Sequence, residues 1–108
     1  MWRKESLSGP RAFRRVLRSG RSVRREGLTF YFHERHGPTR VGLMVTLNPR
    51  SAVIRNRARR RLRSAARLAV PASGWDVVIR ADRAAATRDF QELVRAMMGA
   101  VHKVAAEQ

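Results

Sequence analysis

Seven arginines fall in thirteen consecutive positions: Arg55, Arg57, Arg59, Arg60, Arg61, Arg63 and Arg67, with no acid among them. A guanidinium forks onto phosphate oxygens in a way an ammonium cannot, so this density of arginine calls for a polyanion. Like charges three and four residues apart repel along a helix, and nucleic acid is the obvious partner to offset that repulsion. Asn56 stands inside the run with both a donor and an acceptor. It suits a base edge, a hydrated metal or neighbouring backbone, a local surface hydrogen bond being the plainer alternative.

The rest of the chain supports the same partner. Of 24 basic residues, 22 are arginine; the acids number eight and the formal net charge is +16. From Arg35 to Trp75 there are ten arginines and no acid. Such charge destabilises a compact chain until a polyanion binds. At 108 residues and 44% hydrophobic content, the chain is one domain with a modest core and not a disordered basic arm.

No protein active site is legible. The eight acids, Glu5, Glu26, Glu34, Asp76, Asp82, Asp89, Glu92 and Glu107, are scattered and missing from the basic run, so no two-metal carboxylate cluster is expected. His33, His36 and His102 lack metal-ligand spacing, and Ser51 and Ser64 have no evident base. No catalytic and no metal-ligating side chain is assigned. Without cysteine there is no disulfide or thiolate chemistry. With no apolar signal core and no membrane-length segment, the expectation is a cytoplasmic protein that does not bind membranes.

The elements that position the arginines follow from periodicity. Pro10–Ser19 predicts a helix, with Ser8 or Gly9 before it, Gly20 after it, and Phe13, Val16 and Leu17 on one face. Ser22–Glu26 and Leu28–His33 predict strands, and His36-Gly37-Pro38 a turn. Arg40–Leu47 alternates again, with Val41, Leu43, Val45 and Leu47 inward and Gly42, Met44 and Thr46 outward. Taken as neighbours, these two strands leave one face relatively open, with Tyr31 on it. Ser51 caps a second helix running to about Val70, whose stripe is Ile54, Ala58, Leu62, Ala65 and Ala69. Arg55, Arg59 and Arg63 lie on one flank, Arg57 and Arg61 on the other, and Asn56, Arg60 and Arg67 face outward. Trp75–Arg80 is an apolar strand. Thr87 caps a last helix with a stripe of Phe90, Leu93, Val94, Met97, Met98, Val101 and Val104. The order is α-β-β-β-α-β-α: a single α+β sandwich, a four-stranded sheet packed with helices, spanning 1–108 with a core of about 7–104.

Val53 to Arg63, with Ala52 before it, resembles the signature of the bacterial ribonuclease P protein subunit, an Ala-Val-x-Arg-Asn-Arg-x-x-Arg-x-x-Arg-like run on the second helix. Phe13-x-x-Val16 with Gly20, Arg40-Val41-Gly42-Leu43, Trp75 to Arg80 and Thr87 to Val104 are similar to the family's first helix, third and fourth strands and last helix. The resemblance covers about residues 7–104 and implies a left-handed β-α-β crossover, against the usual rule.

It also implies a function. The protein would bind a catalytic RNA, ribonuclease P RNA, and the 5′ leader of precursor tRNA, promoting endonucleolytic removal of that leader. The holoenzyme would be the endoribonuclease, with the RNA doing the chemistry and holding the Mg2+. Arg55, Asn56, Arg57, Arg59, Arg60, Arg61, Arg63 and Arg67 would contact RNA. Phe13, Leu17, Thr29, Tyr31 and Met44 would line the leader cleft. The chain departs from the family where Thr46 to Ser51 replaces a typical Ser-Lys-Lys-x-Gly-Asn; Arg50 would then stand in for the lost lysines as an RNA contact. Leu17 replaces a frequent aromatic. The protein is expected to be a monomer within the particle. The alternatives are a non-enzymatic structural RNA-binding protein of ribosomal type, or a DNA-binding protein using the basic helix. Leader processing would separate the first, and duplex DNA competing against precursor tRNA the second.

Overall fold

A computed structural model describes residues 5–45, 52–81 and 88–107. In chain order the elements are β1 (Glu5–Ser6), α1 (Pro10–Ser19), β2 (Arg21–Arg25), β3 (Leu28–Pro38), β4 (Arg40–Val45), α2 (Ala52–Ala69), β5 (Ser73–Ala81) and α3 (Phe90–Ala106). The expected α-β-β-β-α-β-α order is present. A two-residue edge strand, β1, is added before it and pairs parallel to β4.

The sheet order is β1-β4-β5-β3-β2. β2 and β3 form a hairpin through Glu26 and Gly27, both with positive φ, 55° and 81°, as a two-residue turn between twisted strands requires. β3 pairs antiparallel with β5, and β5 pairs parallel with β4. The last strand therefore inserts between β3 and β4, which are not the neighbours expected from their alternation. The physical reason is burial: Asp76, Val77, Val78 and Ile79 are all buried, as suits an inner strand covered on both faces. β3 also runs further than expected. His36-Gly37-Pro38 stays in the strand, with Gly37 at φ 112° and a register shift between Glu34 and Pro38.

Two layers of helix sandwich the sheet. α2 and α3 cover one face, packing on Val23, Leu28, Phe30, Phe32, Leu43, Trp75, Val77 and Ile79. Phe32 sits edge-on to Trp75, with ring centroids 5.7 Å apart. α1 covers part of the other face, where Val16 packs with Leu7 and Val78. Gly20 lets the end of α1 approach β3, since a Cβ there would lie 2.5 Å from the Val16 carbonyl oxygen and 2.9 Å from that of Phe32.

Two helix stripes shift by a position or two. In α2 the buried residues are Ala58, Leu62, Ala65 and Ala66, while Ile54 is 42% exposed because the first turns of α2 lie beyond the core. In α3, Ala96 and Ala100 take the inner positions and Met98 is 53% exposed, since alanines let α3 pack closely. The caps at Ser51 and Thr87 fall outside the described residues. The cap of α3 is Asp89, whose carboxylate accepts from the Gln91 N–H at 2.7 Å. Gly9 holds the N-cap position of α1 at φ 91°, with no side-chain bond.

Candidate RNA interface

α2 presents the arginine run as one solvent-facing surface. Ala58, Leu62, Ala65 and Ala66 fasten it to the sheet, and Arg57, Arg59, Arg60, Arg63 and Arg67 are exposed together with Asn56. Arg55 and Arg61 are half-buried at its flanks. Among the described residues no carboxylate forms an ion pair with Arg57, Arg59, Arg60, Arg63 or Arg67. Acids that pair do so elsewhere: Asp76 with Arg40 and Arg35, Glu26 and Glu92 with Arg88, and Glu107 with Arg21. Arg61 also donates to the carbonyl of Arg88 and so ties α2 to the start of α3. Beside it, Arg57, Arg60, Arg61, Ser64 and Phe90 line a shallow groove of about 390 Å³. Arg50 lies outside the described residues.

The expected cleft residues gather on the opposite face of the sheet. Phe13, Leu17, Tyr31 and Met44 all pack, half-buried, against the Leu7–Val16–Val78 cluster. The strand register explains the grouping. One row across the sheet reads Met44, Arg80, Thr29, Arg24; the next reads Gly42, Val78, Tyr31, Ser22. Gly42 is the seat for Phe13: a Cβ there would lie 2.5 Å from the ring Cζ. α1 thus closes one side of a shallow trough whose floor is Thr29, Tyr31 and Met44.

Arg80 was not expected in this site, nor was Arg24. Arg80 is exposed although it lies on the central strand, directly between Thr29 and Met44. An arginine ending an otherwise apolar strand, Val77-Val78-Ile79-Arg80, is the signal that could have marked it. Local pattern does not place it, because the insertion of β5 between β3 and β4 is what brings Arg80 to the centre of the trough.

The two surfaces share an orientation along the sheet. α2 connects parallel strands β4 and β5, so it starts at the carboxyl end of β4. Met44 and its row lie at that same end. The early arginines of α2 therefore lie toward the same end of the sheet as Arg80. At the other end, Asp76 is 3% exposed and takes a bidentate bond from Arg40, at 2.7 Å to Oδ1 and 2.6 Å to Oδ2. In the register this pair lies one row beyond Gly42 and Val78 on the same face.

The sequence profile of the family described as Ribonuclease P matches residues 1–105. The chain belongs to the bacterial ribonuclease P protein family. The ribonuclease P protein component of Acidothermus cellulolyticus is 45% identical over 87 residues, covering 75% of this chain and 72% of that protein. That of Symbiobacterium thermophilum is 42% identical over 86 residues, covering 76% and 75%. In fold, the chain is similar to the RNase P protein of Staphylococcus aureus, with a TM-score of 0.73 at 20% identity, covering 95% of this chain and 96% of that one. Membership makes it a ribonuclease P subunit with a role in tRNA 5′ processing, and so part of an endoribonuclease holoenzyme associated with ribonuclease P RNA. Among the described residues, no helix is long and apolar enough to cross a membrane.

The donor set can be tested against magnesium. Mg2+ takes hard oxygen ligands in octahedral geometry. Among the described residues no three metal-ligating side chains converge, and Asp76, Glu26, Glu92 and Glu107 each face an arginine. These residues do not fit the ion.

Proposed function

We propose that α2 grips the phosphates of ribonuclease P RNA while the trough under α1 holds the 5′ leader of precursor tRNA. The observation that carries this reading is the pairing of two unlike surfaces. One is dense in guanidinium groups, of which Arg57, Arg59, Arg60, Arg63 and Arg67 pair with no carboxylate among the described residues; the other combines ring faces, apolar floor and a few cations. The first suits a folded RNA backbone, the second a single strand whose bases stack and whose phosphates need one or two charges.

Each residue has a role in this arrangement. Arg57, Arg59, Arg60, Arg63 and Arg67, with Arg55 at the flank, neutralise backbone phosphates. Asn56 reads a neighbouring donor or acceptor between them. Arg61 serves first as a strut to α3. Phe13 and Tyr31 offer rings to leader bases, Leu17 and Met44 pack beside them, and Thr29 supplies a hydroxyl. Arg80 and Arg24 hold leader phosphates across the trough. The leader then exits toward the early arginines of α2, which places the first nucleotides of the tRNA beside them. The protein contributes binding and orientation, the RNA subunit performs the cleavage, and magnesium belongs with the RNA. The chain acts as a monomer within a cytoplasmic particle.

Reconstitution tests this. Added to a bacterial ribonuclease P RNA at low magnesium, the protein is expected to raise 5′ leader release and to favour precursor over mature tRNA. Cleavage by the protein without RNA, or unchanged turnover across a range of salt, would contradict it. Replacing Arg57 and Arg60 together by glutamine should lower affinity for the RNA subunit and reduce its log–log salt slope by about 2.

A further inference from the structure

The outer face of α1 carries a second arginine stripe that neither surface above uses. Arg11, Arg14, Arg15 and Arg18 are all exposed, and together with Ser19 they line a depression of about 290 Å³. At 3.6 residues per turn they share roughly 100° of arc, directly opposite Ala12, Phe13, Val16 and Leu17, which face the sheet. Their charges are spaced to repel: Arg11 with Arg14 and Arg15, and Arg18 with Arg14 and Arg15. α1 carries no acid, and Arg11 lies in the first turn, where the helix dipole disfavours a cation. Among the described residues none of the four has an ion pair.

A stripe that opposes its own helix, is exposed and pairs with no carboxylate among the described residues is explained by an external anion. We infer that the outer face of α1 is a second RNA-backbone site, so that the protein is clamped between two RNA segments on opposite sides of its sheet. The inference rests on the proposed function and deepens it. Arginine in place of lysine favours phosphate forks, and the stripe offers no apolar residue for a lipid surface. From Arg11 to Arg18 the helix rises about 10 Å, which matches on the order of three phosphates of one strand. The occupant is a phosphodiester backbone, supplied either by the RNA subunit or by the bound precursor.

The test is a variant with Arg11, Arg14, Arg15 and Arg18 all changed to glutamine, compared with an all-lysine variant and with Arg57→Gln/Arg60→Gln. Glutamine keeps helix propensity and removes repulsion, so the thermal midpoint should hold or rise. Binding is measured as a function of salt, first to the RNA subunit, then of precursor tRNA to the assembled holoenzyme. The expected result is a salt slope lower by about 2 in one arm, largely restored by lysine. Loss in the first arm assigns the stripe to the RNA subunit; loss in the second only assigns it to the precursor. Unchanged slopes in both arms, with the α2 variant still impaired, overturn this inference and leave the stripe to an acidic protein surface. Unchanged slopes for the α2 variant as well would overturn the proposed function itself.

Discussion

Gly42→Ala is the smallest change that should disturb the trough. The added Cβ would meet the Phe13 ring at 2.5 Å from Cζ, 3.0 Å from Cε1 and 3.1 Å from Cε2. Ordinary contact begins at 3.4 Å, so the ring tip must retreat by about 0.9 Å. α1 cannot follow it freely, because Val16 one turn later is fully buried. Phe13 is half-buried, however, so its ring has an open side to swing toward. The cost should fall near the low end of the overpacking range, about 1 kcal/mol. For a domain of this size that lowers the melting temperature by roughly 4–8 °C. Under the proposed function, the displaced ring would also no longer present its face to a leader base. Losing about 1 kcal/mol of stacking corresponds to roughly fivefold weaker precursor binding. Mature tRNA, which lacks a leader, should bind as before. Thermal melting and competition between precursor and mature tRNA on the reconstituted holoenzyme give both readouts. In a Phe13→Ala background, Gly42→Ala should add little further loss, because the clash has been removed. A Gly42→Ala protein with the parent's melting temperature and the parent's substrate preference would refute the reasoning.

Three further outcomes follow from particular contacts. Arg80→Gln should lower the salt slope of precursor binding by about 0.7, the single-strand value for one phosphate, and leave mature tRNA unaffected. Arg40→Ala takes the bidentate partner from the Asp76 carboxylate, 3% exposed, and leaves it facing Arg35 Nη1 at 3.9 Å, so it should cost roughly 3 kcal/mol by denaturant titration. Adding Asp76→Asn to that variant should recover part of the loss. Asp89→Ala removes the bond to the Gln91 N–H and should cost about 1 kcal/mol, read as a lower melting temperature with no change in RNA binding.

Elements with strong periodicity were legible before the fold was known. α1 was bounded correctly by Pro10 and Gly20, and the arginine run declared its helix. The inner stripe of α2 was less so. Ile54 looked like core by spacing, yet its 42% exposure reflects a helix start that lies beyond the sheet, which no local pattern encodes. Met98 and Ala100 illustrate the same limit in α3: periodicity finds the face, but the approach distance between helices decides which residues fill it. Sheet order was the main thing hidden. Alternation in β3 and β4 announced two strands with an open face, but not that β5 would slide between them. That insertion is long-range, and it is what places Arg80 between Thr29 and Met44. The cleft residues were named through family resemblance; the cross-strand register supplies the physical reason they cluster. Arg61 shows the converse, an arginine counted with the RNA contacts whose guanidinium is partly engaged by the Arg88 carbonyl.

The absence of cysteine makes a direct test available, since any introduced thiol is unique. A cleavage probe attached at Leu17→Cys would sit in the trough, and one at Arg60→Cys would sit on the outward face of α2. In holoenzyme bound to precursor tRNA, the trough probe is expected to cut the 5′ leader and the α2 probe to cut the RNA subunit. A trough probe that leaves the leader intact while an α2 probe of equal reactivity cuts would contradict the division of labour between the two faces.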